Sequence, residues 1–230
     1  MYTMDIFTET PLSPLPRFLI DASKGRGALP KRQRTRAQLI AAAARVYSRC
    51  GIAEASIREI AAVAGMSPVT VYNHFRSERE LVDAVGTWVG DTFCQQIIAS
   101  YAHVSSGAER ISIGCRRFLW LAEYSPAWAL FVADVAAATT TFMHQIGPYV
   151  LADLHLGQEQ GDFHAVGDAV ALDLVSGTIL QSIRRMATGG APRNHAKGTV
   201  MAILCALGQN REKARKVLRR PLPNIPSEAS

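Results

Sequence analysis

Val69, Thr70 and Asn73 lie in the stretch GMSPVTVYNHFRSERELV, residues 65–82, at a spacing that puts all three on one side of a helix. Together they offer a methyl surface, a hydroxyl and an amide. These groups can read base edges in a major groove: an apolar contact to a thymine methyl, a hydrogen bond from Thr, a bidentate amide on adenine. Tyr72 and His74 flank that face, within reach of phosphates. Taken alone, Tyr72 reads as readily as a core residue with an exposed hydroxyl, and His74 as an ordinary surface histidine. Val71 and Phe75, one turn apart, point the other way, with part of Tyr72.

Such a face needs a short helix held between fixed ends. Ser67-Pro68 supplies the start, with Ser as N-cap and Pro at the first helical position. Upstream, Ser56-Ile57-Arg58-Glu59 reads as a capping box. It opens a helix with Ile57, Ile60, Ala61 and Ala64 inward, which ends at Gly65. Downstream, Ser77-Glu78-Arg79-Glu80 repeats the box and opens a helix to about Ala102. Val82, Val85, Val89, Phe93 and Ile97 form its buried stripe. The three serine starts, at Ser56, Ser67 and Ser77, bring free amides that favour anions. Ahead of them runs a helix led by the cations Lys31, Arg32, Arg34 and Arg36. Leu39, Ile40, Ala43, Val46, Tyr47 and Cys50 line one face of it, and it stops at Gly51. Two short helices joined by a tight turn carry the punctuation of a helix-turn-helix. The leading cations suit phosphates, which supply most of the affinity in such contacts.

The chain has 230 residues, 48% apolar, enough for a substantial core, and its net charge of +6 is a mild pull toward polyanions. Residues 1–30, with TPLSPLPRFL and SKGRGALP, read as a flexible arm. Beyond the long fourth helix, the pattern places helices near 106–124, 126–138, 141–154, 165–188 and 195–218. Breaks fall at Ser125-Pro126, Gly147-Pro148, 157–161 and 189–192. No run alternates with period two, so the expected class is all-α. Cys50, Cys94, Cys115 and Cys205 lie far apart, which predicts neither a disulfide framework nor a zinc site. His144, His155 and His164 put no two rings on one helical turn, so no metal site is expected. No segment has the length and apolarity of a membrane span, and the N-terminus lacks a signal pattern. The expected location is the cytoplasm, with no membrane partner. GxSxG, GxGxxG, HExxH and the phosphate-binding GxxxxGK[ST] are all missing, so an enzyme is not expected, and no cofactor is called for. The basic run REKARKVLRR, residues 211–220, reads as a solvated helix end, and the last ten residues as a disordered tail.

LIAAAARVYSRCG, ASIREIAAVAGMS and TVYNHFRSERELV closely resemble the TetR family of transcriptional regulators, over Arg34 to Val85. The resemblance implies an arm (1–30), a three-helix helix-turn-helix domain (31–80), a helical ligand-binding and dimerisation domain (81–220) and a tail (221–230). It makes the segment Ser67–His74 the recognition helix. The positions matching family DNA contacts are Arg58, Ser67, Pro68, Val69, Thr70, Tyr72, Asn73 and His74. Arg34, Arg36, Ser56 and Arg79 join them from the residues themselves, since Glu78 stands where the family commonly has Lys and Arg79 is the neighbouring cation. The last two long helices carry the stripes Leu172, Val175, Ile179, Ile183 and Val200, Ile203, Leu204, Leu207. By pattern alone these serve packing within one chain equally well. The resemblance implies that they pair with a twofold copy. It also implies a ligand cavity among Trp88, Phe118, Trp120, Tyr124, Trp128, Phe131, Phe142 and Met143, with His144, Gln145, Asp173 and Gln181 as polar candidates. A plain aromatic core accounts for any one of the large residues as well. The function expected is that of a homodimeric repressor on a palindromic operator in double-stranded DNA, released by an apolar small molecule of unidentified structure. The alternative is a helix-turn-helix architectural or activating DNA-binding protein without a ligand.

Overall fold

The computed structural model describes residues 30–224, and among them the regular elements are all helical. The first four are α1 (Lys31–Cys50), α2 (Ile57–Ala64), α3 (Pro68–His74) and α4 (Glu78–Ser100). Next come α5 (Gly107–Tyr124), α6 (Pro126–Ala138) and α7 (Thr141–Glu159). α8 (Asp168–Leu172) runs through a π-helical turn (Asp173–Gly177) into α9 (Thr178–Ala187), followed by α10 (His195–Ala206) and α11 (Arg211–Arg219). The all-α class is the one expected. The arm, apart from Pro30, lies outside the described residues. No single helix among them is long and apolar enough to cross a membrane.

The chain forms two compact units. The first takes the chain up to Phe93 together with Leu130–Gln145. Its core holds Leu39, Val46 and Tyr47 of α1, Ile57 and Ile60 of α2, Val71 and Phe75 around α3, and Leu81 and Val85 of α4. Fully burying one such aliphatic or aromatic side chain contributes about 1.5–3 kcal/mol. α1 packs on α2, and α2 on α3. The Tyr47 ring stacks on Phe131 with centroids 6.2 Å apart, and the Thr141 hydroxyl donates to Asp83 at 3.3 Å. The boundary expected at residue 80 is therefore not a packing boundary, because the first turns of α4 feed the same core as the helices before it.

The second unit takes Cys94–Ala129 and the chain from Ile146. α9, α10 and α11 all pack on α5. Val175, Ile179, Ile183, Val200, Ile203, Leu204 and Leu207 are buried in the single chain. These are seven of the eight residues expected to form a dimer interface. A side chain already buried against its own subunit has no surface left to give a partner, so the expectation is corrected: the stripes hold α9 and α10 in this unit. Leu172, the eighth, is only half-buried. Ala171, four residues before Val175, is buried in its place, ahead of the π-helical turn.

Four other expectations change. α7 continues to Glu159 through Pro148, although the proline costs about 3 kcal/mol in a helix interior. Burial of Phe142 near one end and Leu154 near the other offsets that cost. The helix expected over 195–218 is two helices, because Asn210 caps α11, its Oδ1 accepting from the Lys213 amide at 2.9 Å. The run 211–220 is docked rather than merely solvated: Ala214, Val217 and Leu218 face inward, Lys213 pairs with Asp162 at 3.5 Å, and Arg220 pairs with Glu109. The start of the expected tail, as far as residue 224, is also held, since Arg117 donates to the Pro223 carbonyl.

Where α5 begins, the backbone passes another segment closely. A Cβ at Gly107 would stand 2.3 Å from the Gly157 amide nitrogen and 2.6 Å from the Asp153 carbonyl oxygen. Around that contact the Tyr101 hydroxyl donates to Asp153 at 2.7 Å, and Arg110 reaches the same carboxylate at 3.4 Å. Gln160 accepts from the Gly107 amide at 3.0 Å and donates to the Ser105 carbonyl at 2.6 Å.

Candidate nucleic-acid interface

Local chemistry shapes the turn between α2 and α3. The Ser56 hydroxyl accepts from the Glu59 amide at 3.2 Å, which starts α2. Gly65, at φ 67°, stops it in the left-handed region that glycine adopts cheaply. The Met66 amide donates to the Ala61 carbonyl and the Gly65 amide to the Ala62 carbonyl, the two bonds of a Schellman motif. Ser67 then caps α3 by accepting from the Thr70 amide at 3.2 Å. Ser77 caps α4, accepting from the Glu80 amide at 3.1 Å, while the Glu80 carboxylate reaches back to the Arg76 amide at 2.8 Å. The first box differs: Glu59 pairs with Arg49 instead of turning back on its own helix.

Val71 and Phe75 anchor α3 in the first unit and leave its other side open, with Val69 66% and Tyr72 57% exposed. Asn73 is exposed and Thr70 half-buried. Tyr72 is therefore mostly outward, with part of its surface covered, in keeping with the periodicity. The Thr70 hydroxyl is engaged 3.0 Å from that of Ser67. The free polar group at the centre of the face is therefore the Asn73 amide. Beside it lies a groove of about 510 Å³, whose polar lining includes Arg32, Arg36, Tyr72, Asn73, His74 and Arg76. The Arg36 guanidinium sits over the Phe75 ring, 4.7 Å from its centroid, a cation–π contact that fixes its direction. Partial burial pushes the His74 imidazole below its ordinary value, and the Arg32 and Arg36 charges push the same way.

The predicted DNA residues divide. Pro68, Val69, Thr70, Tyr72, Asn73 and His74 share α3, and Arg36 joins them at the groove. Arg34 does not, because two residues along a helix turn a side chain to the far side from Arg32 and Arg36. Arg58 is exposed on α2, and Ser56 and Ser67 are engaged as caps. Arg79 is paired with Asp83 at 3.6 Å, on its own helix. Arg76 was missed, and Arg32 was read only as part of the cationic run. Its i, i+4 spacing to Arg36 is the signal that singles it out.

The predicted ligand residues fall in both units. Trp88, Phe131, Phe142, Met143 and His144 fall in the first unit, and Phe118, Trp120, Tyr124, Trp128 and Gln181 in the second. Phe131 and Phe142 are core packing residues. Phe118 and Trp120, two positions apart on α5, face opposite ways. The Trp120 ring lies tilted against that of the exposed Tyr124, centroids 4.5 Å apart, and His144, Asp173 and Gln181 are exposed.

Comparison with known proteins gives this arrangement its class. The profile of bacterial regulatory proteins, tetR family, matches residues 39–85. That of the tetracyclin repressor-like C-terminal domain matches residues 106–220, half of the chain. The chain belongs to the TetR family. TetR-family proteins are regulators rather than enzymes. The transcriptional regulator TtgR of Pseudomonas putida is 36% identical over 89 residues, 39% of this chain and 40% of TtgR. The match thus spans about two fifths of that relative. The crystal structure of RolR in complex with resorcinol superposes with a TM-score of 0.72 at 25% identity, covering 85% of this chain and 98% of RolR. The fatty acid degradation regulator FadR from Bacillus halodurans shares the fold, with a TM-score of 0.61 at 18% identity over 79% of this chain and 98% of that one.

Proposed function

We propose that this TetR-family chain is a homodimeric repressor that reads a palindromic operator through α3 and leaves it when a small apolar ligand binds. The observation that carries the DNA reading is the exposed α3 face, Val69, Tyr72 and Asn73, beside a groove holding Arg32, Arg36 and Arg76. A twofold pair would set two such faces about 34–36 Å apart, one helical turn of DNA. The interface proposed is the outer side of α10, where Gly198, Ala202 and Ala206 are exposed and Met201 and Cys205 half-buried, together with Gln181 and Arg185 of α9. Small residues there allow close backbone approach. The resorcinol bound by RolR supports a compact aromatic ligand. Phe118, half-buried on α5, is the aromatic candidate of the second unit, since Trp128 is as fully buried as Phe131 and Phe142. Ligand and DNA then weaken each other by the same factor.

Footprinting on DNA upstream of the gene tests this reading: a short protected palindrome supports it, and broad protection without one overturns it. Base reading and phosphate contact are expected to separate. Asn73→Ala should cost about 1–3 kcal/mol at the operator and almost nothing on random DNA. Arg36→Ala should weaken both and reduce the salt slope by about one unit. Equal losses on the two DNAs for Asn73→Ala would remove the amide from the reading face.

His74 adds a pH dependence. Its folded-state proton affinity is below that of a free imidazole, so its contribution to folding is complete above about pH 6.5 and declines as pH falls through that value. A nearby phosphate reverses the balance by favouring the charged ring. Operator affinity is therefore expected to rise between about pH 7.5 and pH 6, and less so in His74→Gln. Parallel pH profiles for the two proteins would exclude His74 from the phosphate contact.

A further inference from the structure

A second groove, of about 270 Å³, lies on the second unit between α5, the start of α10, the end of α11 and the segment after it. Arg116, Trp120, Glu123, Lys197, Leu218 and Leu222 line it. Arg116, Trp120 and Glu123 reach it from one face of α5 at spacings of four and three. Trp120, Leu218 and Leu222 make its apolar walls.

The charges around it do not balance. Arg116 donates to the Arg220 carbonyl at 2.8 Å. Its neighbour Arg117 is only 5% exposed, donates to the Pro223 carbonyl, and has an Nε without a hydrogen-bond partner. Burial pushes both guanidinium groups down, the Arg116 charge adding to the effect on Arg117 and Glu109 opposing it weakly for Arg116. Among the described residues no carboxylate pairs with Arg116, Arg117 or Lys197, and the nearby Glu109 is taken by Arg220. In the lining itself Glu123 stands against two cations, Arg116 and Lys197. Guanidinium groups withdrawn from water and held only by neutral carbonyls are poorly compensated. α10 also begins at the groove without a side-chain cap.

We infer that this groove binds a small aromatic monocarboxylate, its ring against Trp120 and the two leucines and its carboxylate between Arg116 and Lys197. The volume is just below the range of pockets for drug-sized ligands, which suits a single ring. The apolar walls give an inorganic anion nothing to bury, and Glu123 disfavours a dianion more than a monoanion. The site is separate from the ligand reading above and does not depend on DNA binding.

The test is titration calorimetry on the full chain with sodium benzoate, benzyl alcohol and inorganic phosphate. Benzoate should bind, and the other two should bind at least about tenfold more weakly, since each lacks one half of the recognition. Trp120→Leu and Lys197→Gln should each weaken benzoate by about tenfold, with helical content unchanged, and Trp120→Phe should restore most of the loss. Added salt should weaken binding to the wild type and have less effect on Lys197→Gln. No heat with benzoate up to its solubility, equal binding of benzyl alcohol, or wild-type affinity in both Trp120→Leu and Lys197→Gln would each overturn the assignment.

Discussion

Ile183→Glu is expected to leave the second unit unfolded, not to yield a folded monomer. Ile183 is 0% exposed, in the layer where α9 and α10 pack on α5. Removing the aliphatic side chain forfeits about 2–5 kcal/mol, and an unpaired carboxylate in its place adds several more. The sum is comparable to the whole stability of an ordinary domain, about 5–15 kcal/mol. Ala202→Glu is the contrasting case. Its side chain is exposed on the opposite side of α10, so charge there should leave the helical signal intact and separate the proposed dimer. Circular dichroism through a urea titration, with sedimentation at matched concentrations, checks both. A folded, monomeric Ile183→Glu with the wild-type midpoint would return the Val175–Ile179–Ile183 stripe to an interface between subunits.

Gly107→Ala is expected to cost about 3 kcal/mol, which for a chain of this size lowers Tm by about 6–12 °C. The added methyl group meets the Gly157 nitrogen and the Asp153 carbonyl oxygen. Both are backbone atoms, so no side chain can swing aside. Relief requires moving the segment around Asp153 and Gly157, which strains the bonds from Tyr101 and Arg110 to Asp153 and from the Gly107 amide to Gln160. Gly114→Ala, seven residues along the same helix, supplies the control. Its Cβ would meet nothing within 4 Å, so the better helix former should stabilise by about 0.5–1 kcal/mol. Differential scanning calorimetry of the two variants decides the matter. Similar Tm values would mean that the approach at Gly107 relaxes without loss.

The sequence by itself determined the elements of the first unit and the exposed face of α3. Ser56, Ser67 and Ser77 cap the helices they were expected to cap, Gly65 ends α2, and Val69 and Asn73 stand outward while Val71 and Phe75 stand inward. Each of these is decided within one or two turns of chain, by a cap bond or by the 3.6-residue period. Tertiary structure decided the rest. A stripe such as Val175, Ile179 and Ile183 says that one side of a helix is buried and is silent about what buries it. Only the packing of α9 and α10 on α5 assigns it to the chain's own core. The π-helical turn at Asp173–Gly177 is a feature that the 3.6-residue period does not announce. Arg32, Arg36 and His74 meet Arg76 because α1 and the end of α3 are neighbours in space. Arg79 instead finds Asp83 one turn away. The aromatic residues read as one cavity are divided between two units for the same reason. Periodicity and capping are properties of a few consecutive residues, whereas the partner of a buried face or a charge is chosen by segments far away in the chain.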